Sequence, residues 1–279
     1  MLNYFNRECP IPVLMYHHVN PHKGDMVTVT PEVFEGQMKY LHESGYRTLK
    51  IDELLSYIAG GLTLKGKAVV VTFDDGWLDN YIYAFPAMKK YKINTAIFII
   101  TDRTERASAI NPPASPLKLR GEQRGVTVVP THKESKLLIE KNEDYKVVLN
   151  WELIKEMSDS GLVEFYCHTK SHAKCNGLSE NELLKELGKS KKIIEEKLNK
   201  PCPYLCWPYG KYSDVAVEIA KDAGYKAIFT TNPGIVKIGS DPLAINRIVV
   251  KDNVAWFKKR MLVYTNSIFS GFYLRIKKK

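Results

Sequence analysis

The sequence lacks any apolar run long enough to cross a bilayer, and its first residues lack the basic and apolar regions of a signal peptide. We therefore expect a cytoplasmic protein. Its 5 cysteines are an odd number without regular spacing, which argues against a disulfide-stapled secreted domain and favours reduced thiols. No glycine-rich phosphate loop follows a predicted strand, which weighs against a nucleotide-binding Rossmann domain.

What the 279 residues do have is an excess of positive charge, with 41 Lys and Arg against 31 Asp and Glu and a net charge of +10. Such a charge can attract nucleic acid, anionic glycans or a membrane surface. Most lysines are scattered and no RNA- or DNA-binding signature is present, so nucleic acid is not an expected partner. The basic, aromatic tail at about 253–279 could make a weak peripheral contact with an anionic membrane, and a solvated helix is the alternative.

Apolar runs typical of buried strands alternate with amphipathic helices along the chain. The strands are predicted at Pro12–Tyr16, Ala68–Phe73, Thr95–Thr101, Val163–Cys167, Tyr204–Trp207, Ala227–Thr231 and Asn246–Val250. This alternation predicts a parallel sheet in an α/β fold. About seven strands indicate a barrel or a deformed barrel, with an open doubly wound sheet as the alternative.

The length suits one catalytic domain spanning 1–279. The segment at about 103–148 interrupts the alternation of strands and helices. It contains four prolines and many charges and shows little periodicity. We interpret it as an insertion that covers or flanks a site, because long structureless loops are usually functional or disordered.

Polar side chains follow four of the predicted strands at their carboxyl ends. His17, the pair Asp74 and Asp75, His168, and Tyr209 each come directly or almost directly after a strand. An Asp-Asp-Gly sequence alone is most simply a turn. Four such segments at the face where barrel active sites assemble are much stronger evidence of a catalytic site.

His168 and His172 are four residues apart, a spacing that predicts both imidazoles on one side of a helical turn. A pair of surface histidines is the simpler interpretation of this spacing alone. With one strand-end aspartate, however, the pair makes a three-ligand set that leaves a coordination position open, as a catalytic zinc requires.

Three motifs in this order resemble the polysaccharide deacetylases that share the NodB homology domain, carbohydrate esterase family four. They are Thr72-Phe-Asp-Asp-Gly76, His168-Thr-Lys-Ser-His172 and Pro208-Tyr-Gly210, and the resemblance extends from about Pro10 to Val250. The opening Val13-Leu-Met-Tyr-His-His-Val19 looks like the branch that deacetylates poly-β-1,6-N-acetylglucosamine.

The resemblance implies a distorted (β/α) barrel of seven or eight strands. It also implies that Asp75, His168 and His172 bind a divalent metal, most often Zn²⁺. Asp74 would then be the general base that takes a proton from the attacking water. The backbone N–H of Tyr209 would help to stabilise the oxyanion.

The chain departs from the family pattern at the third motif, which usually reads Arg-x-Pro-Tyr. Cys206 occupies the place of the arginine that normally positions the base aspartate. Arg247, at the start of a later strand, is our candidate for the missing guanidinium, and a surface or structural arginine is the alternative.

The second departure is the absence of any histidine after Val250, where the family's general acid usually lies. The β-1,6 branch resembles a circularly permuted version of the family, in which this histidine belongs to the Tyr-His pair at the end of the first strand. In this chain that pair is Tyr16-His17. We therefore predict His17 as the general acid, with His18 the weaker choice. An orienting or structural histidine is the alternative.

These residues predict a metal-dependent amide hydrolase that removes acetyl from an N-acetylated amino sugar in a polysaccharide or glycolipid precursor. An inactive glycan-binding relative, or an esterase or non-sugar amidase with the same metal, are the alternatives. Aromatic side chains beside the motifs could stack on sugar rings: Trp77, Trp207, Tyr209 and Tyr212.

Overall fold

The computed structural model of the protein describes residues 9–109 and 129–266. Its strands are β1 Ile11–Tyr16, β2 His18–Val19, β3 Thr28–Val29, β4 Arg47–Thr48, β5 Ala68–Phe73, β6 Thr95–Ile99, β7 Val163–Cys167, β8 Tyr204–Cys206, β9 Ala227–Pro233, β10 Ile235–Val236 and β11 Ile245–Val249. Seven of these form the central sheet, in the order β1, β11, β9, β8, β7, β6 and β5, and every pairing is parallel.

The sheet closes because β1 pairs on both of its edges. Leu14 is in register with Val71 of β5 on one side and with Ile248 of β11 on the other. The predicted barrel is therefore confirmed, with seven strands, and the open doubly wound sheet is wrong. The short strands β4 and β10 extend the sheet outside the ring, and β2 pairs with β3 separately.

The helices surround the barrel. They are α1 Pro31–Glu43, α2 Ile51–Ile58, α3 Phe85–Tyr91, α4 Thr101–Ala109, α5 His132–Glu140, α6 Trp151–Asp159, α7 Glu180–Leu184, α8 Ser190–Leu198, α9 Asp214–Asp222 and α10 Val254–Tyr264. A π-helical turn at Asn80–Ala84 leads into α3, and another at Lys185–Lys189 joins α7 to α8.

Polar side chains cap the starts of several helices. The side chains of Asn150 and Ser213 accept hydrogen bonds from backbone N–H groups in the first turns of α6 and α9, as Asn and Ser caps usually do. Helix α2 begins at Ile51, and the side chain of Glu53 accepts a hydrogen bond from the N–H of Lys50 at 2.9 Å. The hydroxyl of Thr30 donates to Asp252 at 2.8 Å and does not cap α1.

The barrel strands carry large apolar side chains with almost no exposure. Phe98 and Phe229 pack with ring centroids 5.0 Å apart, and Tyr16 stacks on Phe73 at 5.1 Å. Each such buried side chain contributes about 1.5–3 kcal/mol to folding. This packing makes the barrel a rigid support for the groups at its carboxyl end.

The predicted insertion is largely helical where the structure describes it, and so is the beginning of the tail. The segment at about 103–148 contains most of α4, all of α5 and a 3₁₀ turn at Asp144–Lys146; residues 110–128 lie outside the described part. The beginning of the tail forms α10, which agrees with the helix interpretation: Phe257, Met261 and Tyr264 are buried on one face, and Lys258 and Lys259 are exposed. Residues 267–279 lie outside the described part. Within the described ranges, no helix is long and apolar enough to span a bilayer.

Candidate active site

The Asp-Asp-Gly turn sends two adjacent carboxylates in different directions at the end of β5. The N–H of Asp74 donates to the carbonyl of Tyr16 at 3.0 Å, which continues the sheet pairing. Asp75 and Gly76 then both take left-handed conformations, with φ of 72° and 70°. A Cβ on Gly76 would lie 2.9 Å from Cγ2 of Ile99, so glycine is required here by both backbone and space.

Asp75 faces the two histidines of the second motif. Its Oδ1 lies 3.1 Å from Nε2 of His172 and 3.5 Å from Nε2 of His168, and the three ligand atoms lie within 4.8 Å of one another. The predicted helical turn between the histidines is wrong. Thr169 and His172 have φ of 63° and 68°, and an irregular loop folds the second imidazole back toward the first.

The surroundings of this triad suit a metal ion. The Nδ1–H of His168 donates to the carbonyl of Cys206 at 2.8 Å, and this tautomer leaves Nε2 free as a ligand. The indole N–H of Trp77 donates to Oδ2 of Asp75 at 3.1 Å. The other oxygen, Oδ1, is buried and has no hydrogen-bond partner among the described residues. An unsatisfied carboxylate oxygen between two imidazole nitrogens is a donor set that fits a divalent cation.

Asp74 makes a buried two-point ion pair with Arg247. Nη1 donates to Oδ1 and Nη2 to Oδ2, each at 2.7 Å, and Arg247 is only 1% exposed. Although burial opposes ionisation, the guanidinium outweighs it and lowers the pKa of Asp74 from 3.8 to about 2. Asp74 is therefore ionised at neutral pH.

Arg247 reaches this position from the other side of β1. The β11–β9 register shifts between Ile245 and Arg247, and such irregularities re-aim side chains near active sites. Its Nε donates to the carbonyl of Thr230 at 2.8 Å, and its Nη2 lies 3.0 Å from Sγ of Cys206. The guanidinium thus lies directly beside the residue that replaces the motif arginine.

The two neighbouring histidines after β1 lie in different environments. Nε2 of His17 is 3.8 Å from Oδ2 of Asp74, and burial lowers the pKa of His17 although both aspartates raise it. His18 is 1% exposed and points away; its Nδ1 lies 2.6 Å from Asp79 and its Nε2 lies 3.0 Å from Nδ1 of His132. Only His17 shares the cleft with the ion pair.

Tyr209 sits in a strained turn after β8, with φ 57°. Its ring is 54% exposed and its centroid lies 4.6 Å from that of His172. Trp77 and Trp207 are 2% and 0% exposed, so the idea that they stack openly on sugar rings is wrong. Trp207 instead stacks on Tyr212 at 5.3 Å.

Comparisons with known proteins agree with this geometry. The chain matches the family profile described as polysaccharide deacetylase over residues 61–228. The chain belongs to the polysaccharide deacetylase family. It is therefore a hydrolase of carbon–nitrogen bonds other than peptide bonds.

Individual relatives cover most of the chain. The protein YxkH of Bacillus subtilis is 27% identical over 88% of this chain and 73% of its own length. A poly-β-1,6-N-acetyl-D-glucosamine N-deacetylase of Staphylococcus aureus is 28% identical over 81% of this chain and 69% of its own. The solved structure of the Streptococcus pyogenes deacetylase PplD in complex with acetate is 25% identical, with a TM-score of 0.73 over 91% of this chain and 99% of that one.

The cleft of this deacetylase also contains residues that no sequence motif indicates. It has a volume of about 190 Å³ and brings the aspartates and histidines of the motifs together with Trp77, Arg103, His132 and Lys136. The last three come from α4 and α5, which flank residues 110–128, and no motif marks them. Desolvation, aided by the positive charge of neighbouring groups, lowers the pKa of His132 to about 4. A larger cavity of about 430 Å³ lies at the opposite end of the barrel, away from these groups.

Proposed function

We propose that this deacetylase removes the acetyl group from an N-acetylated amino sugar in a polysaccharide or glycolipid precursor, with release of acetate and with the help of a divalent metal. The observation that carries the proposal is one cleft in which Asp75, His168 and His172 form a metal-type triad beside the ionised Asp74. The S. aureus relative, whose name gives an N-acetylglucosamine polymer as its substrate, supports the sugar assignment.

Asp75, His168 and His172 would hold the cation, and Zn²⁺ is the ion expected for one carboxylate and two imidazoles. A cation there would polarise the amide carbonyl and favour ionisation of the attacking water. The hydrogen bonds from Trp77 to Asp75 and from His168 to the Cys206 carbonyl orient two of these side chains beforehand.

Asp74 is the general base and takes the proton of the attacking water. Arg247 keeps it ionised and fixes both of its oxygens, so its orientation is set before substrate binds. As the carbonyl carbon becomes tetrahedral, negative charge develops on the carbonyl oxygen. The backbone N–H of Tyr209 stabilises this charge, and the left-handed turn around Tyr209 and Gly210 presents that group.

His17 is the general acid that protonates the leaving amine. Its lowered pKa leaves it mostly neutral before the reaction. Because its Nε2 lies 3.8 Å from Oδ2 of Asp74, the proton that Asp74 accepts has a short path to His17. From there it reaches the sugar nitrogen as the C–N bond breaks.

These residues come from the first strand to the last, which supports one catalytic domain over residues 1–279. The cleft of about 190 Å³ is smaller than usual small-molecule sites, so we expect only the acetamide end of a glycan to enter it. The cytoplasmic location and the weak contact of the tail with a membrane remain predictions, which cell fractionation and vesicle binding would test.

Acetate release tests the proposed function. Purified protein is incubated with chitooligosaccharides, β-1,6-linked N-acetylglucosamine oligomers and acetylated xylan, with and without a chelator, and Asp74→Asn is the matched inactive control. Chelator-sensitive release from an amino-sugar substrate is expected. Release only from xylan would make the protein an esterase, and no release with a stoichiometric metal bound would favour an inactive glycan-binding relative.

A further inference from the structure

Two cations of the cleft lining lie outside the catalytic set. Arg103 extends from the first turn of α4, and Lys136 lies on the second turn of α5. Arg103 is half-buried and Lys136 is exposed. Both therefore stand where a substrate that enters the cleft would pass.

Nearby cations have acidic partners. Arg106, one turn after Arg103 on the same helix, pairs with Asp144 at 2.8 Å, and Lys170 pairs with Asp102 at 2.8 Å. Within residues 9–109 and 129–266, no acidic side chain forms an ion pair with Arg103 or Lys136. The charges of α4 are thus neutralised everywhere except on the side that faces the cleft.

The carboxylates inside the cleft do not supply the missing partner. Asp74 is bound at both oxygens by Arg247, and Asp75 is turned toward His168 and His172. No other acidic residue is among the described residues that line the cleft. Among the described residues that line the cleft, Arg103 and Lys136 are therefore two cations without a paired acidic side chain.

We infer that Arg103 and Lys136 bind an anionic group, a phosphate or a carboxylate, that the substrate carries next to the N-acetylated sugar. This inference rests on the proposed deacetylase function and specifies its substrate class. A guanidinium matches the two oxygens of such a group, while an ammonium acts as a point charge. Because the cleft admits only the acetamide end, the neighbouring part of the glycan lies across the mouth, within reach of these cations.

The test compares three oligosaccharides of N-acetylglucosamine that differ in one substituent: neutral, phosphate ester and carboxylate. The wild type should deacetylate at least one charged oligosaccharide with a kcat/KM about tenfold above the neutral one, mainly through KM. Raising the salt concentration should lower the ratio of kcat/KM for the charged substrate to kcat/KM for the neutral one. The two charged substrates separate a phosphate from a carboxylate as the natural group.

The variants Arg103→Gln and Lys136→Gln should each lose about threefold more kcat/KM on the charged substrate than on the neutral one, because the two cations together give the preference of about tenfold. Lys133→Gln, an exposed neighbour on α5 outside the cleft lining, is the matched control and should keep the wild-type preference. Calorimetric binding of the charged and neutral oligosaccharides to Asp74→Asn gives a readout that does not depend on turnover.

Equal kcat/KM and equal affinity for the neutral and charged substrates would overturn the inference and leave the proposed function intact. So would variants that lower activity on both substrates alike. If the wild type releases no acetate from any of the three, the proposed function fails, and the binding measurements on Asp74→Asn still decide whether the mouth prefers an anion.

Discussion

Replacing Arg247 with alanine should abolish most activity without removing any group that touches the acetamide. The change deletes both 2.7 Å hydrogen bonds to Asp74 and leaves a carboxylate that is 2% exposed without its counter-charge. Breaking such a buried pair costs about 3–5 kcal/mol, a large part of the stability of an ordinary domain.

The pKa of Asp74 gives a second estimate. The pair holds it at about 2, and without the guanidinium burial would raise it above its ordinary value of 3.8. The difference between about 2 and 3.8 alone corresponds to about 2.5 kcal/mol, at about 1.4 kcal/mol for each pKa unit. Since the base must be deprotonated, a higher pKa moves the acidic limb of the activity profile to higher pH.

The assay is kcat/KM for acetate release between pH 4 and pH 9, with folding checked by circular dichroism and metal content by elemental analysis. In the wild type we expect no acidic limb from Asp74 in this range, whereas Arg247→Ala should show one. Arg47→Ala is the control, because Arg47 is an exposed arginine whose pair with Glu53 contributes at most about 1 kcal/mol. A folded, metal-loaded Arg247→Ala with undiminished turnover and an unshifted profile would refute the reasoning.

Three further changes test other parts of the site. His168→Ala should lose a stoichiometric transition metal and, with it, acetate release. Retention of the metal would show that it binds at residues other than the proposed triad. His17→Ala should lower kcat by about 10²–10⁴, while His18→Ala should mainly lower the thermal unfolding temperature; activity lost in the second but not the first would reverse the assignment of the acid. Gly210→Ala should destabilise the fold, because its Cβ would lie 2.1 Å from Oγ1 of Thr231 at a φ of +63°. Adding Thr231→Ala should recover part of the unfolding free energy, and no recovery would show that backbone strain alone is responsible.

The sequence predicted the parts of the molecule that local patterns determine. Buried strands are visible as apolar runs, and a barrel follows from their number, so Asp74 and His168 could be assigned to one face. The loop from His168 to His172 could not be predicted, since Thr169 and His172 adopt left-handed conformations that no spacing rule favours. There, tertiary contacts such as the bond from His168 to the Cys206 carbonyl override the helical preference.

Contacts across the barrel are likewise hidden from a single sequence. The contact between Arg247 and Asp74 depends on a register shift in β11. From the position of Arg247 in the chain, this contact could be stated only as a hypothesis. His132 lies in a segment with little sequence periodicity, and its neighbours Trp77 and His18 are far from it in sequence. Only the folded chain shows that these rings pack together, with centroids 5.9 Å and 5.1 Å from that of His132.

The double pairing of β1 has a consequence for how the protein is made. A ribosome releases the first strand long before β11, yet the ring cannot close until Met15 pairs with Val249. Until then Asp74 has no guanidinium beside it, and burying its charge would be costly. We therefore expect nascent chains that end before residue 245 to stay open at this seam, and the ring to close only once β11 has been made, with the slow kinetics of long-range strand pairing.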